Sequence, residues 1–151
     1  INGGVYSAKQ LIEKIKSLWV SRDDNIAVVL TGGEPLLQVN DELVAALKQE
    51  QIYIAVETNG TLDAPDHIDW ICMSPKANTE IKLKKGNEIK IIFPQESLDP
   101  EKFSLFDFNE FYLQPMDSNK YQENLNATIT YCQKNPKWKL SLQTHKILGI
   151  R

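Results

Sequence analysis

Five apolar residues, Ile26-Ala27-Val28-Val29-Leu30, run together with no polar residue among them. The run is too short for a buried helix, and its valines favour extended backbone. It predicts a strand over residues 26–31 buried on both faces, the pattern that parallel sheets acquire when helices cover them. The flanking segments agree. Ser7 and Gln10 have capping-box spacing, and Leu11, Ile12, Ile15, Leu18 and Trp19 fall on one helical face, predicting a helix over 8–20. Beyond the strand, Asp41 is placed to cap a second helix carrying Leu43, Val44 and Leu47, and residues 52–56 read as the next strand.

Further along, residues 69–73, 88–93 and 111–113 read as strands, with about one turn of helix near 100–105. A longer helix over 120–133 ends at Asn135-Pro136, and residues 138–144 read as a final strand. The early β-α-β order needs right-handed parallel crossovers, so the fold class is α/β. Six strands with so few helices predict an open, partial parallel β/α barrel. With 151 residues, 42% of them hydrophobic and 25% charged, the chain suits a single domain over 1–151 with a real core.

The same composition excludes several roles. A net charge of -3, from 17 basic and 20 acidic residues, argues against a nucleic-acid surface that neutralises many phosphates. No apolar run approaches the roughly 20 residues that span a bilayer. Cys72 and Cys132 are too few and too scattered for a disulfide scaffold or a metal cluster, and read as inert thiols of a reduced, cytoplasmic protein. Lys82, Lys84 and Lys85 read as a solvated loop.

In parallel α/β folds ligands sit at the carboxyl ends of the strands. Five polar clusters fall there: Thr31-Gly32-Gly33-Glu34-Pro35, Glu57-Thr58-Asn59-Gly60, Ser74-Pro75-Lys76, Gln114-Pro115-Met116-Asp117 and Gln143-Thr144-His145-Lys146. Gly32 and Gly33 let a ligand approach the backbone, and Glu34 offers an acceptor for an ammonium group. That combination suits an amino-acid-like ligand bearing an amine and a carboxylate. The same segment also suits a tight strand-to-helix turn, and it is neither a Walker A loop nor a GxGxxG fingerprint. His145 alone reads as a hydrogen-bonded structural residue.

Thr-Gly-Gly-Glu-Pro at a strand end resembles the GGE motif of the radical S-adenosylmethionine enzymes. The further set of Glu57 to Gly60, Ser74-Pro-Lys76, Gln114-Pro-Met-Asp117 and Gln143-Thr-His-Lys146 resembles the 7-carboxy-7-deazaguanine synthases, in order and over nearly the whole chain. The resemblance implies a [4Fe–4S] cluster that holds S-adenosylmethionine and cleaves it reductively. The resulting 5′-deoxyadenosyl radical takes a hydrogen from 6-carboxy-5,6,7,8-tetrahydropterin, whose ring contracts, assisted by Mg²⁺, with loss of ammonia. Residue by residue, it places Gly33 at the methionyl part of S-adenosylmethionine with Glu34 close by. Ser74, Pro75, Lys76, Gln114, Pro115, Met116 and Asp117 line the nucleoside. Thr31 touches the pterin, as does the terminal carboxylate of Arg151. Glu57 and Asn59 lie on the ribose side, and His145 lines the pocket.

The family's three cluster-ligating cysteines lie upstream of the GGE motif, where this chain has none. Ile1 in place of Met agrees with a chain that lacks the first β/α unit, its cluster loop and its Mg²⁺ ligand. The expectation is therefore a ligand-binding part with no catalytic residue of its own, inactive alone and dependent on an external electron donor. A glycyl-radical-enzyme activase of the same superfamily, or a binding domain that has lost its cluster, are the alternatives. Without that first unit the strand at 26–31 has an unpaired edge, which predicts a homodimer or further residues that cover it.

Overall fold

The structure, a computed structural model, describes residues 3–21 and 25–150. Six strands form one sheet in the order of the sequence, and every neighbouring pair is parallel. They are β1 (Ala27–Leu30), β2 (Tyr53–Thr58), β3 (Trp70–Met73), β4 (Lys85–Phe93), β5 (Asp107–Pro115) and β6 (Trp138–Leu140). The helices are α1 (Ala8–Leu18), α2 (Asp41–Gln49), α3 (Pro100–Phe103), α4 (Tyr121–Lys134) and α5 (Thr144–Leu148), with a 3-10 turn at Pro35–Leu37. The sheet is open, with β1 and β6 as its edges.

Sequential strand order has a direct consequence. Right-handed crossovers between successive neighbours place every connection on the same face of the sheet. Burial follows a period of two accordingly. Ile54 and Val56 of β2 pack with Ile12 of α1 and Val44 and Leu47 of α2. Ile89, Ile91, Phe111 and Leu113 of β4 and β5 pack with Phe103 and Trp138 in a second core cluster, against which Tyr131 and Cys132 of α4 rest. The alternate positions, among them Glu57, Cys72, Glu88, Lys90, Glu110, Tyr112 and Gln114, belong to the opposite face, which carries the polar side chains.

Helix starts behave as side-chain capping dictates. Ser7 and Gln10 close a full capping box on α1, with Gln10 Oε1 accepting from Ser7 N at 2.9 Å and Ser7 Oγ from Gln10 N at 3.3 Å. On α2 the cap is Asn40 rather than Asp41: its Oδ1 accepts from Leu43 N at 3.0 Å, and Asp41 becomes the first helical residue. There its charge complements the positive end of the helix.

Three further expectations are corrected. First, β1 is not buried on both faces, since Val29 is 59% exposed. Val28 and Leu30 face the helices, whereas Ala27 and Val29 face the side left free of connections. Second, β4 and β5 are nine residues each, longer than their apolar cores suggest, because polar residues such as Lys85, Asn87, Asp107 and Asn109 extend them. Third, β6 stops at Leu140 and residues 144–148 form a helix, closed by Gly149 at a φ of 66°. Ser141 N still donates to Leu113 O at 2.8 Å, but the next rung would need an N–H from Pro115, which has none.

Candidate active site

The carboxyl ends of β1 to β5 converge on a cavity of about 250 Å³. From the β1 end come Thr31, Gly32 and Gly33; from β2, Glu57, Thr58 and Asn59; from β3 and its exit, Cys72, Ser74 and Lys76. Lys90 and Ile92 of β4 and Gln114 of β5 complete the lining.

The glycine pair does what its sequence suggests. Gly32 has a φ of 136°, a conformation side chains rarely adopt. No heavy atom stands within 4 Å of where a Cβ would sit on Gly32 or Gly33, so open space faces both. A ligand can therefore reach their backbone.

Glu34 points elsewhere. Its Oε1 accepts from Leu36 N at 3.1 Å, capping the 3-10 turn, and from the Thr58 hydroxyl at 2.7 Å. Its Oε2 accepts from Asn59 N at 2.7 Å. The Thr58 oxygen in turn accepts from Gly60 N at 3.1 Å. Gly60, at a φ of 80°, lies so close to β3 that a Cβ would sit 2.4 Å from Met73 Sδ. Glu34 thus ties the glycine turn to the end of β2, and its carboxylate is committed to three protein donors.

The floor of the cavity is ionisable. Thr31 Oγ1 donates to Glu57 Oε2 at 3.2 Å. Lys90 Nζ lies 3.4 Å from Glu88 Oε1, to which the Cys72 thiol also donates at 3.5 Å. Burial, reinforced by Glu88, pushes the Cys72 thiol up to about 12. For Lys90 burial acts downward, but the negative charge that Cys72 takes on only at high pH, together with the Glu88 and Glu57 carboxylates, outweighs it and raises the ammonium above its ordinary value. At neutral pH the floor therefore holds a lysine cation beside a protonated thiol. Motif reading at strand ends does not find Glu88, Lys90 or Cys72. Their signal is the alternation of Glu88, Lys90 and Ile92 with buried Ile89 and Ile91 along β4.

The other sequence candidates lie outside this cavity. Pro75 and Pro115 are buried, and Met116 is held through its backbone, its N–H on Phe93 O at 2.8 Å and its carbonyl on Asn124 Nδ2 at 2.9 Å. Asp117 pairs with Lys146, and both border a separate hollow with Gln143, Tyr121 and Ile147. His145 is exposed on α5. Arg151 lies outside the described residues.

No family model matches the chain. It is 51% identical over 150 residues to the 7-carboxy-7-deazaguanine synthase of Bradyrhizobium diazoefficiens, covering 99% of this chain and 71% of that protein. To the 7-carboxy-7-deazaguanine synthase of Caulobacter vibrioides it is 47% identical, with the same coverage. Among solved structures it resembles the crystal structure of QueE from Escherichia coli, with a TM-score of 0.71 and 26% identity, over 91% of this chain and 64% of that one. The chain, which spans 71% of the length of these two synthases, belongs to the 7-carboxy-7-deazaguanine synthase family.

Proposed function

We propose that this chain forms the ligand-binding wall of a radical S-adenosylmethionine lyase that converts 6-carboxy-5,6,7,8-tetrahydropterin to 7-carboxy-7-deazaguanine, in the pathway to queuosine. The carrying observation is the convergence of Thr31 to Gly33, Glu57, Ser74, Lys76 and Gln114 on one cavity in a chain 51% identical to a named synthase. In this reading the bare backbone of Gly33 meets the methionyl part of S-adenosylmethionine, and Ser74, Lys76 and Gln114 border its nucleoside. Thr31, already hydrogen-bonded to Glu57, faces the pterin. When bound, S-adenosylmethionine supplies the one-electron chemistry; this chain binds, orients and encloses.

The iron–sulfur cluster does not fit the residues present. A [4Fe–4S] cluster needs thiolates. Cys72 lies in the sheet with its thiol held protonated, and Cys132 lies on α4. Among the described residues no group of three or more His, Cys, Asp or Glu can hold a metal ion. We therefore assign the cluster, the Mg²⁺ ligand and entry of electrons from an external donor to residues outside these 151. No described helix is long and apolar enough to cross a membrane. The open edge of β1 calls for cover, either by a second copy in a homodimer or by further residues of the protein.

The test uses the chain fused to the part of the Bradyrhizobium diazoefficiens relative that it does not cover, with the cluster reconstituted without oxygen. The fusion is expected to form 7-carboxy-7-deazaguanine and the 151-residue chain to form none. Gly33→Asp, which brings a carboxylate toward that of the ligand, is expected to weaken S-adenosylmethionine binding at least tenfold by equilibrium titration. Unchanged affinity would remove Gly33 from the site.

A further inference from the structure

The ladder between β3 and β4 is the shortest in the sheet, with only Cys72 and Met73 paired, to Glu88 and Ile89. One residue nearer the amino ends, Ile71 N donates to a side chain, Asn87 Oδ1, at 2.8 Å. A side chain interposed between two strands holds them apart. A hollow of about 360 Å³ opens there, larger than the strand-end cavity and at the other end of the sheet. Its floor meets the core at Ile71 and Leu83. Gly86 also borders it, and a Cβ there would stand 2.6 Å from the Phe108 ring, so no side chain fills the gap from that point of β4.

The rim is polar on both sides. Asp66 and His67 come from the turn before β3, and Lys85, Asp107 and Asn109 from the opening residues of β4 and β5. Lys85 and Asp107 are partners in register. Opposite charges on neighbouring strands can join, as Lys139 and Glu110 do between β5 and β6, yet Lys85 and Asp107 form no ion pair. Among the described residues none of the five rim side chains makes a hydrogen bond or an ion pair. An apolar floor under a few convergent, unengaged polar groups is the form that small-molecule sites take. An ammonium has only donors to offer and calls for an anion, whereas a carboxylate can accept from two adjacent N–H groups at once.

We propose that this hollow is a second binding site, for a small molecule with a carboxylate at one end and two adjacent N–H donors at the other. Lys85 donates to the carboxylate, and Asp66 accepts from the N–H pair. Asp66 takes that role rather than Asp107, because Asp107 stands beside Lys85 in register and Asp66 belongs to the wall before β3. Two kinds of molecule carry this chemistry. One is a carboxylated 2-aminopyrimidinone such as 7-carboxy-7-deazaguanine, a source that rests on the functional reading above. The other is a guanidino acid such as arginine.

Calorimetric titration of the 151-residue chain tests both. The probes are 7-carboxy-7-deazaguanine and L-arginine, with 7-deazaguanine and agmatine as their counterparts lacking the carboxylate. At least one carboxylated probe is expected to saturate, at least tenfold more tightly than its counterpart, and which one does so identifies the source. Lys85→Met is expected to erase that tenfold difference, and Asp66→Asn to weaken both members of the pair at least tenfold. Circular dichroism spectra that match the unaltered chain show that these variants are folded. Gly33→Asp, at the other end of the sheet, is expected to leave the affinity within twofold. Saturation by neither probe overturns the inference. So does binding that Gly33→Asp removes and Lys85→Met does not, which would put the ligand in the strand-end cavity. The functional reading keeps its own test, product formation by the fusion, and either can fail without the other.

Discussion

At the scale of single residues, the cavity shows how identical chemistry is given different tasks by position. Glu34 and Glu57 are both carboxylates at strand ends, yet one is enclosed by three protein donors and the other meets a single hydroxyl. Cys72 is chemically a nucleophile, but burial beside Glu88 holds it protonated. That shift has a signed consequence. The thiol's value rises from about 9 to about 12 on folding, so the unfolded chain ionises first as pH increases. The stability that Cys72 contributes is complete below about pH 9 and is lost progressively as pH climbs toward about 12. Urea denaturation between pH 8 and about 11 is expected to show this decline. Cys72→Ala is expected to flatten it, and a slope unaffected by that substitution would assign the decline to other groups.

At the scale of elements, apolar pattern and capping chemistry made much of the fold legible. The capping box at Ser7 and the periodic residues behind it specify α1, and the apolar runs of β1, β2 and β3 locate three strands closely. The same logic misjudged surroundings. The run at residues 26–30 is apolar throughout, but burial depends on neighbours that the run does not encode, and β1 has a neighbour on one side only. Strand length failed for the opposite reason: Asp107 and Glu110 look like loop residues until one face of β5 is known to be wet. At the C-terminal end, alternation of Leu140 and Leu142 imitates a longer strand, but its next partner on β5 is Pro115, which has no N–H to donate. In the site, the strand-end motifs were readable, but Lys90 lies mid-strand and becomes visible only once the face is assigned. The exposed edge at β1 carries its own prediction. The 151-residue chain is expected to self-associate with rising concentration, through backbone groups that seek a partner strand. Val29→Lys is expected to shift sedimentation toward the monomer without changing the circular dichroism spectrum. A wild-type monomer at all concentrations would contradict this.

At the scale of the whole molecule, the sheet separates two duties by face. The helix side holds Ile54, Val56, Ile89, Ile91 and Leu113, each fully buried, and with them the cohesion of the fold. The other side holds the cavity and its charges. Adjacent residues on β5 provide the comparison. Leu113→Ala is expected to cost about 2–5 kcal/mol in chemical denaturation, as large-to-small changes in a packed core do. Its neighbour Tyr112, on the cavity side, is expected to tolerate Tyr112→Gln at about 1 kcal/mol or less. Equal costs for the two would mean that both faces hold the fold together.

The two-residue alternation along β4 and β5 therefore bears on how such a protein changes over generations. Because neighbouring positions answer to different pressures, substitutions on the ligand side can accumulate without first being rescued by compensating changes in the core. A new specificity can be reached in small viable steps, each read by the ligand and largely unnoticed by the scaffold. The exception is the Glu34 tie, where the glycine turn and the β2 end that both line the cavity share one carboxylate. There a single mutation is felt by both, and lineages exploring new ligands should travel around that residue rather than through it.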